Sequence, residues 1–185
     1  MARSVAQKDW FEIVAPDIFD NEKVSETPSD RKEKVDGRTV KVNLKDLVPT
    51  SSKYYMDVFL QVKDVEGNKA HTELVGQKTS KEYVSKMVRR RSDRIDKVMD
   101  VDTKDGKKVR VKIIASTLNN THGSTKKAIK EKMDEIIEDN ASSSSYVEFM
   151  NAIFQNEIQR ELNDKCKKIY PLRSVEFRKT ELLEN

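Results

Sequence analysis

Four arginines lie close together near the middle of the chain, at positions 89, 90, 91 and 94, and Asp93 and Asp96 are the acidic residues beside them. Three consecutive arginines span most of a helical turn, so they cannot all form ion pairs with local partners. The planar donor fork of arginine matches phosphate and stacks on bases. The cluster therefore predicts phosphate contact, and the first hypothesis for the partner is a nucleic acid.

The charge of the chain is concentrated around this cluster. Residues 81–130 carry fifteen Lys and Arg against six Asp and Glu, a net charge of +9. Residues 1–80 carry thirteen against fourteen, and residues 131–185 carry eight against twelve. The total of +4 thus conceals one strongly basic segment with acidic flanks, a pattern that favours a nucleic-acid partner.

Two alternating stretches after the arginines, residues 95–102 and 108–115, predict a β-hairpin. The apolar sets of the two strands meet only if Val101 faces Val109, so the numbers of paired residues sum to 210. The loop is then Lys104-Asp105-Gly106, and its third position requires a positive φ, which favours glycine. This register predicts the hairpin before any tertiary contact is considered.

The same register places Asp102 across from Lys108 and Asp100 across from Arg110. One interpretation of these charges is a solvated sheet face with cross-strand ion pairs, which leaves the arginine cluster unexplained. A metal site at Asp96, Asp100 and Asp102, which share a strand face, is a second alternative. The cations opposite them favour ion pairing, because hard metal ions need several convergent oxygens.

The elements that position these residues follow from the patterning of the remaining chain. Residues 21–37 are polar, contain Pro28 and are interpreted as a long loop. Thr79 is the predicted cap of a helix whose last turn is the three arginines. Ser124 is the predicted cap of a second helix that ends at Asn140. Ser145 and Glu148 form a capping box for a third helix that continues to about Tyr170. The predicted further strands are residues 10–14, 38–45, 54–63, 69–75 and 173–179.

The length of 185 residues favours one domain covering residues 1–185, with a short flexible tail at about residues 1–8. Cys166 is the only cysteine, which excludes an internal disulfide and a cysteine-based zinc site and fits a reducing compartment. No apolar run of 18 residues exists, and the first ten residues lack a secretory apolar region. The expected location is therefore the cytoplasm.

Residues that commonly support catalysis are sparse. His71 falls on a predicted strand, His122 lies in a polar loop, and neither has a Ser or Cys in a recognisable nucleophile setting. Cys166 is best interpreted as a structural thiol between two lysines. The five glycines do not form a phosphate-binding loop. We therefore expect no enzyme activity, no cofactor and no metal.

Four segments together resemble a known family. They are EGNKAHTELVGQ at 66–77, VRRRSDRIDKVMDVDTKDGKKVRVK at 88–112, KKIYPLRSVEFRK at 167–179 and WFEIVAPDIF at 10–19. They resemble the archaeal version of a small-ribosomal-subunit protein family called S-three-a-e, or eukaryotic-type S-one. The resemblance runs from Trp10 to about Leu183, and its arginine-rich and Asp-Gly block is specific to that family.

The resemblance implies an α+β fold with a mainly antiparallel, barrel-like sheet flanked by about three to four helices. It implies a non-catalytic component of the small subunit, on its platform near the mRNA exit. The implied partners are the 3′ region of the small-subunit rRNA, neighbouring ribosomal proteins and mRNA near the exit, with no membrane. The implied location is the cytoplasmic ribosome.

Members of the family bind rRNA through basic surfaces, and that role is carried onto basic residues of this chain. The loop at residues 119–125 is arginine-rich in archaeal relatives but reads NNTHGST here, so Lys126 and Lys127 are expected to replace it. The residues expected to bind RNA are Arg89, Arg90, Arg91, Arg94, Lys107, Lys108, Arg110, Lys112, Lys126, Lys127, Arg173, Arg178 and Lys179.

Two other classes of protein compete with this interpretation. A free-standing barrel for single-stranded nucleic acid would interleave aromatic and basic residues on a sheet face, and the segment 95–119 contains no aromatic residue. A protein-interaction scaffold without nucleic acid would use the acidic segment 131–185 instead. Migration with the small subunit in a sucrose gradient separates all three.

Overall fold

The computed structural model describes residues 8–48 and 53–183, and the chain divides into two compact units, Met1–Gly76 and Gln77–Asn185. The predicted α+β class is confirmed, with eight mostly antiparallel strands in one sheet and five α-helices. The strands are hydrogen-bonded in the order β2-β1-β5-β8-β7-β6, and β4 pairs with both β3 and β5. In the described residues this order does not close into a barrel. The single-domain interpretation stays a prediction, and residues 1–7 of the predicted tail lie outside the described residues.

The first unit is built from strands with a clear alternation of buried and exposed residues. Met56, Val58, Leu60 and Val62 are all buried, as the sequence predicted for one face of their strand. The strand β1 pairs antiparallel with β2 and parallel with β5, and β3 pairs antiparallel with β4. The elements are β1 (Asp9–Val14), β2 (Lys23–Ser29), β3 (Thr39–Asn43), the short helix α1 (Leu44–Leu47), β4 (Met56–Glu66) and β5 (Lys69–Thr79).

The prediction of a long loop at residues 21–37 was wrong, because this stretch contains β2 and a 3-10 helix at Lys32–Lys34. Pro28 lies inside β2, opposite Trp10. An outermost strand tolerates proline because one of its sides needs no ladder donor. Val35 is fully buried and packs with Phe11 and Ala70, so the segment is anchored by apolar contact despite its polar composition.

The second unit continues the sheet and adds most of the helices. Its strands pair antiparallel in the order β6-β7-β8. The helix α3 packs on β6 and α5 on β8, and Lys97 on β6 forms an ion pair with Asp134 on α3. The elements are α2 (Lys81–Met87), β6 (Arg94–Asp102), β7 (Lys108–Thr117), α3 (Gly123–Ser143), α4 (Tyr146–Phe154), α5 (Glu157–Cys166) and β8 (Leu172–Leu183).

The register of the β6–β7 hairpin is confirmed at every pair, from Asp102 opposite Lys108 to Ile95 opposite Ala115. The amide of Thr103 donates to the carbonyl of Lys107 at 3.0 Å, which closes a three-residue loop. Gly106 has a φ of 76°, the left-handed conformation that the sequence required at this position.

Three helix predictions needed correction. Ser80 caps α2 instead of Thr79, with its side chain accepting from the amide of Tyr83, and His122 precedes α3 as its cap residue in place of Ser124. The single helix predicted after Ser145 is interrupted at Asn156, where φ is 64°. Asparagine tolerates this left-handed conformation, which separates α4 from α5. The capping box of Ser145 and Glu148 is confirmed.

Candidate nucleic-acid interface

The first cationic feature is the turn Arg89–Ser92, called the Arg turn below. Helix α2 ends at Met87, and Val88 is extended, so the prediction that these arginines form the last helical turn was wrong. The Ser92 hydroxyl donates to the carbonyl of Arg89 at 2.7 Å and accepts from its amide at 3.1 Å. A serine side chain that hydrogen-bonds to both the amide and the carbonyl of one residue competes with the hydrogen bonds that would continue the helix. Arg91 has a φ of 62°.

The side chains of Arg89, Arg90 and Arg91 are free to meet a ligand. All three residues are exposed, and within the described part of the chain none has an ion-pair or side-chain hydrogen-bond partner. The Ser92 hydroxyl nevertheless binds the backbone amide and carbonyl of Arg89, which closes the turn on itself. The turn therefore presents three guanidinium groups on a fixed short segment.

Arg94 differs from the other members of the cluster, and its prediction as an unpaired cation was wrong. Its Nε and Nη2 donate to the two carboxylate oxygens of Asp96 at 2.6 and 2.8 Å. Residues two apart on a strand share a face, which brings the two side chains together. The hydrogen bonds that Arg94 donates to the Asp96 carboxylate raise the pKa of Arg94 above its ordinary value.

Asp93 links the Arg turn to the loop that precedes α3. Its carboxylate accepts from the amide of Thr121 at 2.7 Å and pairs with Lys126 at 3.0 Å. The Thr121 amide and then the Lys126 ammonium hold the pKa of Asp93 below its usual value. Lys126 is thereby engaged, and Lys127 lies 3.8 Å from Glu131, so both predicted replacements for the loop arginines have acidic partners.

The exposed face of the hairpin is largely neutralised. Arg110 donates to both carboxylate oxygens of Asp100 at 2.7 and 2.8 Å, as the register predicted, and this lowers the pKa of Asp100. Lys107 lies over the ring of Tyr146, 5.3 Å from its centroid. Lys108 is exposed, and no ion pair joins it to Asp102 across the ladder in the described structure.

A second cationic feature is a cleft of about 460 Å³ in the second unit, called the basic cleft below. Its walls come from the end of β5, from α2, and from β6, β7 and β8. Four of the residues predicted to bind RNA meet there, together with two cations that the sequence did not single out. The basic residues lining it are Lys78, Lys81, Arg94, Lys112, Arg178 and Lys179.

Lys78 and Lys81 were missed for a structural reason. The predicted strand stopped at Val75, whereas β5 continues to Thr79, and Lys81 is the first residue of α2. The buried Gln77 and Thr79 side chains donate to the carbonyl of Phe177, which joins this segment to β8. Only such long-range contacts bring the two lysines beside Lys112.

Two β-bulges on β8 position arginines. Lys179 pairs with Lys112 while Phe177 pairs with Ile113, so Arg178 is an extra residue. Phe177 and Thr180 are buried, and Arg178 and Lys179 between them are partly exposed, so two consecutive cations face one side. A second shift leaves Arg173 as the extra residue between Ser174 and Leu172.

Two carboxylates accompany the cations of the basic cleft. Glu181 accepts hydrogen bonds from Lys112 at 2.8 Å and from Lys179. Burial acts to raise the pKa of Glu181, but these two hydrogen bonds prevail and lower it. Asp96, already bound by Arg94, lies 3.9 Å from Arg178. Six cations thus face two acids.

The alternative chemistries find little geometric support. Within residues 8–48 and 53–183, no three His, Cys, Asp or Glu side chains come together so as to hold a metal ion, and this includes Asp96, Asp100 and Asp102. Cys166 is fully buried, and burial raises the pKa of its thiol, as a structural role requires. No helix in the described residues is long and apolar enough to cross a membrane.

Fold and site together define an α+β protein with an exposed arginine turn and a basic cleft in its second unit. The chain belongs to the Ribosomal S3Ae family, whose model matches residues 2–185. This confirms the resemblance found in the sequence.

Several archaeal relatives carry the name "Small ribosomal subunit protein eS1". The chain is 41% identical over 181 residues to the one from Methanopyrus kandleri, covering 96% of this chain and 86% of the relative. It is 37% identical over 178 residues to that of Archaeoglobus fulgidus, covering 95% and 84%. For Methanococcus vannielii the identity is 35% over 177 residues, covering 96% and 80%.

Proposed function

We propose that this protein is a structural constituent of the small ribosomal subunit and binds rRNA through its second unit. The observation that carries the proposal is the Arg turn, where three exposed arginines have no acidic partner in the described structure and the turn is closed by hydrogen bonds between Ser92 and the backbone of Arg89. Family membership supports the ribosomal role. No catalytic step is part of the proposal.

Binding follows from counterion exchange. Each Arg or Lys that contacts a phosphate releases condensed cations from the RNA, which makes affinity strongly dependent on salt. The guanidinium fork forms two parallel hydrogen bonds to one phosphate, so a fixed turn adds geometry to charge. Contacts of this type position a protein on RNA without reading its sequence.

The finer location extends the same proposal. The family resemblance supports a place on the platform near the mRNA exit, beside the 3′ region of the small-subunit rRNA. Neighbouring ribosomal proteins and mRNA near the exit are the further partners, and the cytoplasmic ribosome is the location. The acidic segment 131–185, with a net charge of −4 from eight basic and twelve acidic residues, suits contact with basic protein neighbours.

The test is co-sedimentation of the full chain with ribosomal subunits from its own source, followed by mapping of protein–RNA cross-links. We expect one copy of the protein per small subunit and cross-links between the Arg turn and the 3′ region of the rRNA. Sedimentation as a free protein would contradict the ribosomal role. Cross-links confined to another rRNA region would retain that role and contradict the location.

A further inference from the structure

The basic cleft is not explained by the Arg turn or by the fold. Like charges that converge on one concavity repel each other, and burial against protein strengthens the repulsion. Lys78 and Lys81 have no acidic partner in the described residues, and Arg178 reaches only the outer edge of ion-pair distance from Asp96. The cleft therefore holds more positive charge than its own carboxylates balance.

We propose that the basic cleft binds the sugar–phosphate backbone of the RNA, as a second contact separate from the Arg turn. The proposal rests on the proposed function and names a further site for the same ligand. Arg178 is central because the bulge on β8 turns it to the same side as Lys179. Lys81 faces it from α2.

The lining of the cleft favours a backbone over a base. Bases are bound by stacking on aromatic rings, and no aromatic residue lines the cleft in the described structure. Its two hydroxyl groups already donate to carbonyls, Thr79 to Phe177 and Ser85 to Lys81. What the cleft offers is positive charge and N–H donors, which match phosphate oxygens.

The carboxylates of the cleft explain how it stays assembled without RNA. Asp96 holds Arg94 in a bidentate pair, and Glu181 holds Lys112 and Lys179. Among the cations of the cleft that contact a carboxylate, Arg178 has the longest contact, so a phosphate can engage it without breaking a strong pair. Asp96 has the same sign of charge as the bound phosphate. Removing this charge therefore changes RNA binding at the cleft in a way that has no counterpart at a simple surface patch.

The first test measures binding of the full chain to a fragment of its small-subunit rRNA over a range of salt concentrations. The cleft variant is Lys81→Gln with Arg178→Gln. The matched control is Lys167→Gln with Lys168→Gln, two exposed lysines after α5 that have no ion pair in the described residues. We expect the salt dependence of the cleft variant to be weaker. The negative slope of log K against log salt should be smaller in magnitude by about 2, since each phosphate contact contributes about 0.9.

The second test adds one variant and one footprint. Asp96→Asn removes the competing charge and should tighten RNA binding about five-fold at low salt, the size of one charge contact in water. Acetylation of lysines, read by mass spectrometry, should show Lys78 and Lys81 protected by the RNA and Lys167 and Lys168 unprotected. Thermal unfolding of each variant verifies that the fold is intact.

The outcomes separate this inference from the proposed function. If the wild type does not bind rRNA, both fail. If the wild type binds, but the cleft variant keeps the wild-type slope and Lys78 and Lys81 remain open to acetylation, the cleft proposal alone is overturned.

Discussion

Asp93 determines how well the Arg turn can act, although it contacts no ligand itself. It immediately follows Ser92, and its carboxylate fastens the neighbouring loop through the Thr121 amide and the Lys126 ammonium. Its backbone amide donates to the Thr117 hydroxyl at 2.8 Å, which ties the end of the turn to β7. One residue thus ties down two irregular segments beside the exposed arginines, the loop through its carboxylate and the turn through its backbone amide.

We predict that Asp93→Ala lowers the melting temperature by a few degrees at pH 7, because the Thr121 amide and Lys126 lose their acceptor. Glu138→Ala, at an exposed position of α3, is the matched control and should leave the melting temperature nearly unchanged. Thermal unfolding by circular dichroism measures both. Equal melting temperatures for the two variants would show that the Asp93 contacts do not stabilise the fold.

The same comparison has a defined pH dependence. The pKa of the Asp93 carboxyl is lowered in the folded protein. The stabilisation that this carboxylate provides is therefore present above its pKa in the unfolded chain and is lost as the pH falls through its pKa in the folded protein. The difference between wild type and Asp93→Ala should therefore be constant near neutral pH and close below about pH 4, the ordinary pKa of aspartate. A difference that persists at pH 2.5 would mean that the charge is not its source.

The β6–β7 hairpin shows how far local pattern alone predicts an element. Its register and its turn depend on alternation and on one glycine, both visible in the sequence, and the structure agrees at each pair. The bulges on β8 leave no such trace, because Arg178 becomes an extra residue only through pairing with β7. The break at Asn156 was also hidden, since the helical spacing of apolar residues continues across it through Phe154, Ile158 and Leu162.

Gly106→Ala tests the hairpin turn directly. Gly106 has a φ of 76° with nothing within 4 Å of an added Cβ, so the expected cost is backbone strain alone, about 1–2 kcal/mol of unfolding free energy. Gly123→Ala is the matched control, because Gly123 is the first residue of α3 and is equally open. There alanine should stabilise by about 0.4–1 kcal/mol through the unfolded chain.

Urea unfolding of the two glycine variants gives both free energies. We expect the free energy of unfolding to fall for Gly106→Ala and to rise for Gly123→Ala, although the same atoms are added in both variants. A stabilising Gly106→Ala would mean that the turn does not require the left-handed conformation at this position.

At the scale of the molecule, all thirteen residues predicted to bind RNA fall in the unit Gln77–Asn185, but they do not act alike. The basic segment is visible in the sequence, because charge is additive and can be counted. It could not tell free cations from paired ones, since pairing depends on which acids the fold brings near. Arg94, Arg110 and Lys126 have bound carboxylates, whereas the three arginines of the turn have none among residues 8–48 and 53–183.

This distinction predicts how rRNA binding responds to salt. Replacing Arg89, Arg90 and Arg91 together with Gln should weaken the salt dependence. The negative slope of log K against log salt should be smaller in magnitude by about 2 to 3, since each free cation releases about 0.9 counterion on contacting a phosphate. Arg110→Gln should change the slope by less than one third of the change in the triple variant, that is, by less than one free arginine contributes. The reason is that Asp100 already neutralises the charge of Arg110. Equal changes per residue in the two variants would mean that total charge, not the free fraction, governs binding.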